Sequence, residues 1–300
     1  GRAPGMRVFQ GILPVDKPPG PTSHDAVARV RKTMQVRRVG HAGTLDPFAS
    51  GLLLLLVGPA TRLSEFFLGM DKRYDATLRL GVGTDSHDSE GEVVAECNDW
   101  EELDRDRILE AMEGFRGTIR QRPPSLSAKK VAGEAAHRRV RRGETVELAP
   151  VPVTIHELTL GDVELPLLRF SLRCSSGTYV RALARDLGAA LGVGGHLTEL
   201  RRTAIGPFGL DASLSWEAAE SADSVAAGLI SPARALGHLP TVEVTDEDAL
   251  RLSQGQFLPL AGDSILEGEP VRILLDGELL AIGAREGARL RPRKVLMPRG

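Results

Sequence analysis

Apolar positions along this chain fall into two periods, and each period predicts a different element. Residues 52–57 form an unbroken run, Leu52-Leu53-Leu54-Leu55-Leu56-Val57, between Gly51 and Gly58. A run that short, bounded by glycines, predicts a buried strand. Tyr74, Ala76, Leu78 and Leu80 alternate with Asp75, Thr77 and Arg79, the pattern of a half-buried strand with Tyr74 on its inward side. Residues 168–174 alternate in the same way.

Helical spacing appears elsewhere. Ala26, Val27, Val30 and Met34 make one apolar stripe, opened by Thr22 and Asp25 at capping-box spacing. Pro59 opens a helix that runs through Phe66-Phe67-Leu68. Residues 100–115 predict a single amphipathic helix with Ile108, Met112 and Phe115 on one side. After Ser175-Ser176-Gly177 comes a helix with Val180, Leu183, Leu187 and Leu191 toward the core, and with Arg181 and Arg185 off that stripe.

From about Ser231 the composition changes. Residues 240–244, 271–275 and 278–283 read as short strands, and Asp276-Gly277 is a hairpin turn signal. A basic strand, 289–296, follows. The whole predicts an α/β (α+β) protein with a large mixed sheet over residues 6–230 and a small β-rich domain over 231–300, without internal repeats.

Composition narrows the class. The chain has 300 residues, 42% hydrophobic and 26% charged, with a net charge of -2, so the molecule as a whole has no cationic field. Any nucleic-acid contact then needs a local basic patch. One candidate is the cluster of Lys129, Lys130, Arg138, Arg139, Arg141 and Arg142, although a solvated helix face is the usual explanation of such a run. Arg37-Arg38 and Lys17 are weaker candidates of the same kind.

Cys97 and Cys174 lie far apart without metal-ligand spacing, so neither a disulfide framework nor a zinc site is expected, and a reducing cytoplasm is the simplest home. No apolar run reaches the ~18 residues of a membrane span, and no signal-peptide pattern is present. Gly1-Arg2-Ala3-Pro4-Gly5 before Met6 reads as a cloning remnant. The acidic turn of residues 83–91 lacks EF-hand spacing, so no metal is expected there.

The candidate chemistry centres on Gly40-His41-Ala42-Gly43-Thr44-Leu45-Asp46-Pro47. Its glycines allow close backbone approach, and Pro47 holds Asp46 extended at the lip of the leucine strand. The bare Asp-Pro pair also suits a helix start, with Asp46 as cap. Tyr74, one of two tyrosines, is either a core residue or a face on which a base stacks.

This loop resembles the Gly-His-x-Gly-x-Leu-Asp-Pro motif of the TruB-type tRNA pseudouridine synthases. Lys17-Pro18 with Gly20, Lys72-Arg73-Tyr74, residues 123–130, Gly177-Thr178-Tyr179-Val180-Arg181 and Leu200-Arg201-Arg202 are similar to further segments of that family, in the family's order. The likeness covers roughly residues 10–230; the C-terminal part is similar in general character to PUA-type RNA-binding domains.

The resemblance implies isomerisation of the T-loop uridine at tRNA position 55, with no cofactor. It implies a soluble monomer without an obligatory protein partner, bound to the tRNA T stem-loop. Asp46 would be the catalytic carboxylate, either as nucleophile at C1′ or as base toward the ribose. Arg181 would pair with it and fix its direction. Tyr74 would stack on the target base and handle a proton at C5. His41 would enter the RNA loop during base flipping, and Tyr179 and Leu200 would line the flipped uracil. Lys17, Lys130, Arg138, Arg141, Arg142 and Arg202 are the expected contacts to the RNA backbone. Leu126 and His137 depart from tyrosines common in the family. Two other readings stand beside this one: an RNA chaperone whose chemistry is incidental, and a guide-RNA-dependent synthase of the same superfamily.

Overall fold

A computed structural model describes residues 9–124 and 148–296, and between them the backbone of Lys130–Val131 and Glu134–Ala135. Its centre is a ten-stranded mixed sheet. The strands of that sheet and the helices that matter here are β1 (Gly11–Lys17), α1 (Ser23–Met34), β2 (Val39–Ala42), β3 (Ser50–Val57), α2 (Glu65–Leu68), β4 (Lys72–Leu80), α3 (Arg105–Glu113), β5 (Gly117–Gln121), β6 (Val151–Glu164), β7 (Leu167–Cys174), α4 (Val180–Ala190), β8 (Gly195–Ile205), β9 (Phe208–Gly209) and β10 (Leu214–Ser215). The spatial order is β10-β1-β3-β8-β4-β7-β6-β5, with β2 on β3 and β9 on β8. The pairs β1–β10 and β3–β8 are parallel, and the remaining pairs are antiparallel.

The leucine strand explains itself by its surroundings. Leu53, Leu55 and Val57 enter one core with Leu13, Val15 and the buried faces of α1 and α4. Leu52, Leu54 and Leu56 enter a second core on the opposite side of the sheet. A strand buried on both faces has no polar positions to alternate with, hence the unbroken run. The second core also takes Leu274, Leu279, Ile282 and Leu296 from the C-terminal unit.

That unit is a five-stranded sheet of β11 (Thr241–Glu243), β12 (Leu258–Pro259), β13 (Pro270–Leu275), β14 (Glu278–Glu286) and β15 (Arg289–Val295), in the order β11-β13-β14-β15-β12. With α5 (Asp246–Ser253) it encloses a core of its own. The β13–β14 turn is made by Asp276 and Gly277, both at positive φ, as the Asp-Gly signal required.

Helix α1 carries the expected capping box between Thr22 and Asp25. Two helices differ from expectation. Residues 99–115 are broken: a 3-10 turn (Asp99–Glu102) ends at an extended Leu103, and Asp104 then caps α3 by accepting from Arg107 N. The aspartates of that stretch, Asp99, Asp104 and Asp106, favour separate caps over one continuous helix. The segment after Pro59 is likewise a 3-10 stretch (Gly58–Leu63) before the single turn of α2.

Candidate active site

The loop from Gly43 to Ala49 is tied down at nearly every peptide. Ser23, in the first turn of α1, both donates to Leu45 O (3.0 Å) and accepts from Leu45 N (2.9 Å) through its hydroxyl. Gly20 N donates to Pro47 O at 2.7 Å. Lys17 Nζ donates to Pro47 O (3.3 Å) and Ala49 O (2.8 Å), and also to Pro18 O and Pro21 O. On the near side, Arg202 donates from Nη2 to Gly43 O (3.2 Å), from Nη1 to Thr44 O (3.3 Å) and from Nε to Leu52 O (2.8 Å). Asp46 therefore stands between two buried cations that hold the backbone before and after it. Its own carbonyl accepts from Ala49 N at 3.0 Å, so Asp46-Pro47 begins a β-turn and does not cap a helix.

The strand that follows fits only because of Gly51. Its φ is 108°, and a Cβ there would lie 2.2 Å from Arg202 O of β8. Glycine is thus required both by conformation and by the close parallel crossing of β3 and β8.

A cavity of about 290 Å³ opens beside Asp46. Among the residues lining it are Tyr74, Tyr179, Arg181, Leu200 and Arg202. Pockets for drug-sized ligands run from about 300 Å³ upward, so this one has room for a single nucleoside-sized group. Arg181 Nε meets Asp46 Oδ2 at 2.9 Å, and its Nη1 donates to Ser86 O at 3.1 Å. The Asp46 side chain keeps 35% of its exposure while Arg181 keeps 8%. The carboxylate thus faces the cavity and the guanidinium backs it.

Tyr74 is buried on β4, opposite Arg202 of β8 and Leu172 of β7. Burial pushes its phenol above the ordinary value, while the Arg202 guanidinium opposes that push by charge and hydrogen bonding. The phenol is neutral at pH 7. Tyr179 occupies the N-cap position of α4, and its backbone N–H donates to Gln121 Oε1 at 2.8 Å.

Asp46, Arg181, Tyr74, Tyr179 and Leu200 therefore come together in one cavity wall. His41 stands apart on β2, half-buried, with a buried Nδ1 that makes no hydrogen bond among the described residues. Burial, then the Arg202 charge, lower its pKa, so it is neutral at pH 7.

Two expectations are corrected. Lys17 and Arg202 were expected on the RNA backbone, but their side chains are turned into the protein. Lys17 has 0% exposure and Arg202 has 2%. Their donors serve main-chain carbonyls, which leaves them no access to an external phosphate. Lys130, Arg138, Arg141 and Arg142, with Leu126 and His137, lie outside the residues whose side chains are described.

Other features carry little signal in sequence. Lys72 lines the cavity, donates to Leu68 O at 2.7 Å, and has its pKa lowered by burial to about 8. Ser86, whose carbonyl holds Arg181, belongs to an acidic loop ordered internally by Ser86 Oγ and Glu90 N donating to Asp88 Oδ1. The alternation Leu13-Val15-Lys17 in β1 and Leu200-Arg202 in β8 was the available sign that both cations point inward.

The matching family models are the TruB family pseudouridylate synthase (N terminal domain), over residues 31–180, and the tRNA pseudouridylate synthase B C-terminal domain, over 181–229. A tRNA pseudouridine synthase B from Aromatoleum aromaticum is 43% identical over 295 residues, covering 97% of this chain and 94% of its own. Another from Corynebacterium jeikeium is 41% identical over 298 residues, covering 97% and 95%. A chain from an H/ACA ribonucleoprotein bound to a substrate RNA containing 2′-deoxyuridine has a similar structure, with a TM-score of 0.72 and 27% identity. That similarity covers 96% of this chain and 86% of the other.

Proposed function

The chain belongs to the TruB family of pseudouridylate synthases, and from that membership and the cavity at Asp46 we propose that it isomerises the T-loop uridine at tRNA position 55 to pseudouridine. The observation that carries the reading is the 2.9 Å Asp46–Arg181 pair, placed in a cavity walled by Tyr74, Tyr179 and Leu200.

The chemistry follows from those groups. The N1–C1′ bond breaks, the uracil turns within the cavity, C5 bonds to C1′, and the proton that C5 loses is balanced by one that N1 takes up. Asp46 starts the sequence either by attacking C1′ or by taking a ribose proton; both routes use the carboxylate that Arg181 aims into the cavity. Tyr74 supports the base by its ring. Leu200 keeps water from C1′, so that the sugar carbon is retaken by carbon and not hydrolysed. Nothing is oxidised or reduced overall, so no cofactor enters.

A uridine within a folded T-loop has to be extruded before it reaches a cavity of this size, at a cost of a few kcal/mol or so. His41, neutral and half-buried on β2, would enter the loop that the base leaves, as the family resemblance implies. Residues 6–230 would carry the reaction, and 231–300 would add RNA contacts in the manner of a PUA-like unit.

The test uses the pure protein and an unmodified tRNA transcript. Pseudouridine is expected at the T-loop uridine without any guide RNA or second protein. Asp46→Asn should bind the transcript and leave it unmodified. Modification at another uridine, or none without a guide, would refute the assignment. Intact biological activity of Asp46→Asn would favour a chaperone role.

A further inference from the structure

Arg202 is buried as deeply as the apolar core around it, yet it is a full charge. Burying a cation is costly unless its donors are satisfied. Here three of them meet carbonyls from two different segments: Gly43 and Thr44 before Asp46, and Leu52 after it. Its neighbour across the ladder is Tyr74, whose ring supports the target base in the proposed reaction.

We propose that Arg202 is a positioning residue for the isomerisation: one guanidinium holds the Asp46 loop and the Tyr74 side chain in a common register. This inference rests on the catalytic role given to Asp46 above.

The geometry argues for an arginine specifically. A planar fork can bond carbonyls of a loop and of a strand at once, from a position across the ladder from Tyr74. An ammonium is a single point and serves fewer of these partners at once. If the residue only filled space, a well-packed apolar side chain would serve at least as well. Two separate parts meet at this point: a loop carrying the acid, and a strand carrying the aromatic ring. Reaction at C1′ needs both in fixed relation to one sugar, and a shift of about 1 Å in such an arrangement costs on the order of 100-fold in rate. The Tyr74 hydroxyl also responds to Arg202, which opposes the effect of burial on it.

Arg202→Lys tests the proposal, because it keeps the charge and removes the fork. Single-turnover rate and tRNA affinity are measured separately. The rate is expected to fall about 100-fold while affinity stays within about threefold, since a positioning residue acts on the chemical step and not on RNA capture.

A second readout does not depend on activity. The chain has two tyrosines, so carbon-13 labelling at tyrosine Cζ gives two NMR signals, which Tyr179→Phe assigns. In Arg202→Lys the Tyr74 signal is expected to shift and to titrate at higher pH. A near wild-type rate, an affinity loss with intact rate, or an unmoved Tyr74 signal would each overturn the proposal. Failure of Arg202→Lys to fold would also overturn it, by making the residue one of stability alone. If the wild-type protein makes no pseudouridine, the functional assignment fails by itself, and the Tyr74 signal still reports the Arg202 contact.

Discussion

Arg181→Lys is the substitution for which the structure gives a worked magnitude. Arg181 joins two groups at once: Asp46 Oδ2 at 2.9 Å through Nε, and Ser86 O at 3.1 Å through Nη1. A lysine ammonium replaces the charge but not this divergent pair of bonds. A hydrogen bond to a charged group contributes about 1.5–3 kcal/mol. Asp46 is 35% exposed, so water takes over part of the lost interaction and the lower half of that range applies.

About 2 kcal/mol at the transition state is roughly a 30-fold slower chemical step. The Ser86 carbonyl, on a buried residue, loses a partner as well, which adds about 1 kcal/mol of lost stability. Tritium released from C5-labelled uridine under single-turnover conditions reports the step directly. The rate constant should fall while the half-saturating enzyme concentration stays unchanged, because the pair aims the acid and does not hold RNA. A rate within about twofold of wild type, in protein that melts normally, would show that the pair does not orient the reacting acid.

Three further outcomes are expected. Gly51→Ala places a Cβ 2.2 Å from Arg202 O at a φ of 108°, so the variant should be severely destabilised or insoluble; an unchanged thermal melt would contradict the crossing described for β3 and β8. Leu200→Ala removes a wall that already borders open space, so its stability cost should lie at the low end, about 2 kcal/mol, while free uracil appears among the products; product analysis without uracil would argue against the water-exclusion role.

His87 is pushed down to about 4 by burial and by the Arg185 and Arg181 charges, against the opposing pull of Asp186 and Asp88. Its folded value lies below the unfolded one, so its contribution is complete above about pH 6.5 and declines as pH falls toward 4, by at most ~1.4 kcal/mol per pH unit. His87→Asn, which tolerates the φ of 63°, should flatten stability across that window in denaturant titrations; an identical acid limb would remove His87 from the account.

Periodicity carried the fold well where each side chain had one environment. The capping box of α1, the alternation of β4, interrupted at a buried Thr77, and the Asp-Gly hairpin each follow from local rules. The residues around Asp46 were legible only through motif resemblance, because nothing in the spacing of 46, 74, 181 and 200 brings them together. Contacts between distant strands do that. Lys17 and Arg202 misled for a related reason: positive charge is usually a surface property, and the carbonyls that make it tolerable inside come from segments up to about 160 residues away in sequence. The break at Leu103 was hidden because Ile108 and Met112 keep helical spacing on one side of it.

The double burial of β3 bears on how deletion experiments on this protein should be interpreted. A chain cut near residue 230 would shed Leu274, Leu279, Ile282 and Leu296, and so lay bare part of the side of the leucine strand that carries Leu52, Leu54 and Leu56. That strand begins one residue beyond Ala49. Such a truncated protein would present a greasy flank to solvent and would tend to clump. Its inactivity would then say nothing about whether the missing portion touches RNA. Point changes on the outer surface of the five-stranded unit, leaving its underside in place, would separate the two roles.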